Sequence, residues 1–127
     1  LERMVLKAGV FWAAEASQPR AVTRTRTALL LPNYDEYLVA YSDRRLMFDE
    51  AATDKLDSRG NPIFQNTVLI GGRIVGTWRR TLKARTIAVA IDLHRRLTKT
   101  ERSAVDIAVG AYSRYMGQPA TTTLTEP

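Results

Sequence analysis

A chain of 127 residues is about one domain. Its 45% hydrophobic and 25% charged content suits a packed core and argues against wholesale disorder. With no cysteine, disulfides, thiolate zinc sites and cysteine nucleophiles are excluded. No run approaches the ~18 apolar residues of a membrane span, and no basic-then-apolar leader precedes the first elements, so the composition reads as cytoplasmic with no membrane partner. The formal net charge of +6 points to a polyanion as partner.

Residues 1–14 contain two apolar runs around Lys7-Ala8-Gly9, the pattern of a small hairpin. Such a hairpin is marginal alone. Together with Leu at position 1, this reads as the remnant of an upstream module of a longer polypeptide. Residues 15–27 are polar and carry Pro19, Arg20, Arg24 and Arg26, which predicts an exposed linker.

Residues 28–31 form a short apolar strand stopped by Pro32. Asn33 and Glu36 then have the spacing of a capping box. Tyr34, Tyr37, Leu38 and Tyr41 fall on one face of the helix so started, which predicts a buried stripe. A second short helix, capped by Asp49, is expected over 49–56, and 58–62 form a turn. Asp35, Glu36 and Asp43 are the clustered acids, and structural roles suit them: capping, the helix dipole, or pairing of Asp35 with Arg44 or Arg45.

Gly71-Gly72 between the runs 67–70 and 73–79 is a strong two-residue hairpin signal, because both turn positions need positive φ. A regular ladder sets Leu69 opposite Ile74 and Val68 opposite Val75. It also puts Trp78 on the face of Leu69 and Ile74, where it braces the hairpin. Gly76 marks a bulge or a close backbone approach. A further strand over 86–91 has Ile87, Val89 and Ile91 on one face and only Thr86, Ala88 and Ala90 on the other. The last helix, 98–116, opens with the capping box Thr98–Glu101 and stops at Gly117. Its expected buried positions are Ala104, Val105, Ala108, Ala111, Tyr112, Tyr115 and Met116. Residues 118–127 show no packing pattern and are expected to be a flexible tail.

These elements make an α+β fold: a small antiparallel β-sheet or partly closed barrel with a long C-terminal helix and short helices. The domain spans 28–117.

The residues LLLPNYDEYL at 29–38, Tyr41-Ser42-Asp43-Arg44 and TVLIGGRIVGTWRR at 67–80 together resemble one family, the bacterial winged-helix DNA-binding proteins similar to the AlkZ DNA glycosylases. The likeness covers about 28–117, with residues 9–12 similar to the last strand of a preceding winged-helix module. It implies that this is the C-terminal portion of such a protein. That portion would be non-catalytic, contact the double-stranded DNA backbone and support upstream winged-helix modules of the same chain. Glycosylase members use a glutamine-containing motif. Gln18, Gln65 and Gln118 each stand alone, so no catalytic residue carries over, and the parent chain is only a possible glycosylase.

Between residues 73 and 102 there are nine Lys/Arg and two acids, a local balance of +7. Arg73, Arg79, Arg80, Lys83, Arg85, Arg95 and Arg96 are therefore the candidate phosphate contacts, since Lys and Arg bind a polyanion by releasing its counterions. Arg80, Lys83 and Arg85 are expected to form a basic turn with Arg95 and Arg96 nearby. The plainer reading is a solvated, aggregation-resistant sheet edge. No metal site or cofactor is expected, because His94 is the sole histidine and lacks convergent carboxylates. The alternative function is an interaction or scaffold domain, docking its own modules or a second copy as a homodimer without touching DNA.

Overall fold

The computed structural model describes residues 1–6, 9–14, 27–42, 44–48 and 65–127. Most of the expected linker, the helix at 49–56 and the turn at 58–62 lie outside the described residues, as does Asp43. Strands β1 (Glu2–Leu6) and β2 (Gly9–Ala13) pair antiparallel as a two-stranded sheet. A second sheet has the order β3 (Ala28–Leu31), β4 (Asn66–Ile70), β5 (Arg73–Leu82), β6 (Ile87–Leu93) and β7 (Ala120–Thr125). A long helix, α2 (Lys99–Met116), joins β6 to β7. A single helical turn, α1 (Glu36–Val39), and a 3-10 turn (Arg45–Met47) lie between β3 and β4 in sequence.

The fold is α+β, and the sheet is an open one whose edges are β3 and β7 rather than a closed barrel. It is also mixed. The expected flexible tail is instead β7, which pairs parallel to β6 from Ile87↔Ala120 to Asp92↔Thr125. Parallel neighbours need a long crossover, usually a helix, and α2 supplies it. Thr121, Thr122 and Thr123 suit an extended strand, while Ala120 and Leu124, four apart, turn to the core.

The Gly71-Gly72 turn forms as expected, with φ of 56° and 78°. Leu69 does face Ile74, but Val68 pairs with Gly76, because the ladder shifts between Val68 and Leu69. Val75 is the extra residue of that bulge. The shift reverses the alternation of β5. Ile74 packs with Leu38, Met47, Phe48 and Leu69 on one side of the sheet. Val75 and Trp78 pack with Val68, Ile87, Val89 and Ile91 on the other. Trp78 thus sits opposite to its expected face. Its brace is nonetheless present: Nε1 donates to the Leu31 carbonyl at 2.9 Å, and its ring meets Tyr112 of α2 edge-on, with centroids 5.3 Å apart.

Gly76 is required where β5 crosses β6. A Cβ there would lie 2.4 Å from the Asp92 carbonyl oxygen and 3.0 Å from the Leu93 Cα.

The helix covers the Trp78 side. Thr98 and Glu101 form the capping box in full, and Gly117 ends the helix at φ 66°. Val105 and Val109 are buried, each worth about 1.5–3 kcal/mol of transfer free energy. Ala104, Ala108, Tyr112 and Met116 pack around them. Ala111 and Tyr115, expected inside, are exposed, because the buried stripe is centred on Val105, Val109 and Tyr112.

Near α1 the expected stripe is only half present. Leu38 is fully buried, and the half-buried Tyr37 donates its hydroxyl to the Gly72 carbonyl at 2.7 Å. Tyr34 and Tyr41 are exposed, since Tyr34 precedes the Asp35 cap and Tyr41 follows the C-cap of a four-residue helix, so neither is on the helix face. The cap is Asp35, which accepts from the Tyr37 N–H at 2.9 Å, so Asn33 is not the cap. Arg44 donates Nε to the Leu38 carbonyl at 2.7 Å.

Candidate nucleic-acid interface

The seven candidate cations separate along β6: Arg79 lies opposite its middle residue, Ala90, and the others lie toward its two ends. Lys83 and Arg85 occupy the exposed turn that enters β6, closed by the Lys83 N–H donating to the Thr86 carbonyl at 2.9 Å. Arg95 and Arg96 follow its last residue, Leu93. Seven residues of strand hold the groups roughly 20 Å apart. The expected single patch is therefore absent: the sequence proximity of 83–85 and 95–96 is undone by the strand between them.

At the end where β6 leads into α2, cations are paired. Arg95 donates Nη1 and Nη2 to the two carboxylate oxygens of Glu101, both at 2.9 Å. This fork, with the capping contacts of Thr98, holds the Glu101 carboxyl at about 2, against an ordinary value of 4.5. Arg102 forms an ion pair with Glu126. The other carboxylate oxygen of Glu126 accepts from the Leu97 N–H at 3.1 Å. These two partners, the Leu97 amide first, lower the Glu126 carboxyl as well. Arg96 is exposed and its Nε reaches the Pro127 carbonyl at 3.5 Å. Arg73, at the Gly71-Gly72 turn, also belongs to this end. It precedes Gly76, the residue opposite Leu93, and donates Nη1 to the Phe48 carbonyl at 3.1 Å.

The other end differs. Arg79 and Arg80, both exposed, lie on opposite sides of β5, as strand alternation demands. Arg79 shares the side away from α2 with Ala90, its neighbour in register. Arg80 lies on the helix side, opposite Val89, and donates Nη1 to the Tyr112 hydroxyl. The helix runs toward this end: the Pro119 carbonyl accepts from the Ile87 N–H at 2.9 Å.

Two further side chains, Arg114 and Tyr115, therefore join Arg80, Lys83 and Arg85 here. Both are exposed in the last turn of α2. Arg114 folds back along the helix, with Nη1 3.6 Å from where a Cβ on Gly110 would stand. A basic residue in the last turn of a helix was the available sequence signal for it. Neither building stretch, 79–86 or 112–119, contains an acid. Five cations, Arg79, Arg80, Lys83, Arg85 and Arg114, thus occupy stretches without a carboxylate.

Among the described residues no group of three or more His, Cys, Asp or Glu is placed to hold a metal ion. No helix among them is long and apolar enough to cross a membrane.

The described residues form an α+β fold in which Arg79, Arg80, Lys83, Arg85 and Arg114 occupy stretches without an acid. A family model described as DNA glycosylase AlkZ-like matches residues 1–115. The chain belongs to this AlkZ-like family. No curated protein and no solved structure matches it.

Proposed function

We propose that this chain is a DNA-backbone-contacting domain, and that the turn end of β5 and β6 is its contact surface. The carrying observation is the set of exposed cations in stretches 79–86 and 112–119, which hold no acid. Membership of the AlkZ-like DNA glycosylase family supports DNA as the polyanion. Arg80, Lys83, Arg85 and Arg114 are the primary contacts. Arg79 lies on the opposite side of β5 from Arg80 and is a secondary contact. Arg95 is removed from the list by its bidentate pairing with Glu101, and Arg73 and Arg96 lie at the far end.

Within this reading the domain is non-catalytic and works beside winged-helix modules of the same protein. The β1–β2 hairpin supports that arrangement. It exposes Val5, Val10 and Trp12, with Trp12 at 65%, and a lone two-stranded hairpin is marginal in water. Packing against a neighbouring module would bury these side chains.

The test is fluorescence anisotropy with a labelled duplex over a salt series. Binding in the non-specific range of roughly 10⁻⁴–10⁻⁶ M is expected. The variant Lys83→Glu/Arg85→Glu should weaken it and reduce the log–log salt slope by about 0.9 for each phosphate that is no longer neutralised. Unchanged affinity and slope in a folded variant would remove this turn from the interface.

A further inference from the structure

We infer that the last turn of α2 adds a subsite for unpaired nucleotides, with Tyr115 as the platform on which a base stacks. The inference rests on the backbone-contact reading above and assigns part of that surface a second chemistry. Tyr115 is 84% exposed, the most exposed aromatic side chain among the described residues. It is not a stray core residue. Tyr112, one turn earlier, already does the packing, with its ring against Trp78 and its hydroxyl receiving Arg80. Residues three apart are neighbours on a helix surface, so Tyr115 stands beside the Arg80–Tyr112 pair. Arg114 leans the other way, toward Gly110, and leaves the ring uncrowded by its neighbour.

An exposed aromatic ring one helical turn from the Arg80–Tyr112 pair matches the two chemistries of a single strand, base and phosphate. Phosphates are neutralised by Arg80, Lys83 and Arg85, and a base lies on the ring. Stacking of this kind is tolerant of sequence, because every base has a π-face. A duplex cannot use the ring in this way, since its base faces are covered by the pairs above and below. The surface therefore holds duplex through phosphates alone and gains on strands whose bases are free.

Three labelled probes decide the matter: a single strand of about 12 thymidines, an abasic strand of equal length, and a duplex of equal length. Each is titrated with the full chain and with Tyr115→Ala and Tyr115→Phe. The inference expects Tyr115→Ala to weaken the thymidine strand about tenfold, to leave the abasic strand and duplex within about twofold, and Tyr115→Phe to bind like the parent. Equal binding of all three probes by Tyr115→Ala and the parent would overturn stacking and leave the backbone reading intact. A uniform loss on all three probes would overturn it too, as a disturbed helix end. Absence of salt-dependent binding to any probe would overturn both readings.

Discussion

At the end of β6 that leads into α2, Arg95 and Arg102 each face a carboxylate, and the pairs tie a loop and the end of β7 to the helix. At the opposite end, Lys83, Arg85 and Arg114 lie in stretches that contain no acid at all. The same residue types are thus structural at one end and available at the other. Sequence density of charge does not distinguish them, because Lys83 and Arg85 fall in the same cation-rich segment as Arg95 and Arg102. What separates them is the length of β6 and the positions of two glutamates, Glu101 and Glu126. Positive charge identifies an interface only after the charges already occupied within the fold are subtracted.

The change that would damage both ends at once is Gly76→Ala. Its Cβ would meet the β6 backbone at 2.4 Å, and neither strand can move without disturbing the bulge. A loss of about 3 kcal/mol is expected in urea denaturation, and DNA affinity should fall with it. Leu124→Asp attacks the paired end more selectively. It puts a carboxylate among the core side chains beside Ile91, and about 2 kcal/mol should be lost, with reduced amide protection in β6 and β7.

A milder change, Glu101→Gln, keeps the helix but breaks the Arg95 fork and weakens the cap, with an expected loss of about 1 kcal/mol at neutral pH. Its pH signature is sharper than its size. Glu101 is held near 2 in the fold, below its ordinary 4.5. Its contribution is therefore complete above about 4.5 and disappears as pH falls toward about 2. The parent should lose stability through that window, and the Gln variant should lose less. Glu126, lowered in the same direction, adds acid sensitivity of the same sign. The smallest effect on stability belongs to Lys83→Glu/Arg85→Glu, within about 0.5 kcal/mol by thermal melting. Its consequence should appear in DNA binding instead. If that variant unfolds the domain, the contrast between a structural and an available end is wrong.

Local signals carried most of the fold. The Gly71-Gly72 turn, the capping box of Thr98 and Glu101, the stop at Gly117 and the alternation of β6 each depend on residues a few positions apart. Two features escaped because they depend on distant partners. The bulge at Val68 and Leu69 is a mismatch between two strands, and neither strand shows it alone. Strand β7 takes its place by pairing with β6 across the whole of α2, and a run of three threonines offers no apolar alternation to announce it. For the candidate surface, the identities of the basic residues were legible, but their grouping was not. In sequence Arg95 is equivalent to Arg85; only the fold brings Glu101 against it. Tyr115 was invisible as a surface partner, because only the helix packing shows which of its faces is outward; Arg114 was marked only as a basic residue in the last helical turn.

The parallel pairing of β7 also sets an order of events during synthesis. β6 leaves the ribosome a full helix ahead of its neighbour, so its outer hydrogen-bonding groups wait, open to solvent or to another nascent chain, until translation has passed Thr125. A helix whose start is fixed by its own first turn shortens that vulnerable interval, for α2 can coil before β7 exists and is then ready to deliver it.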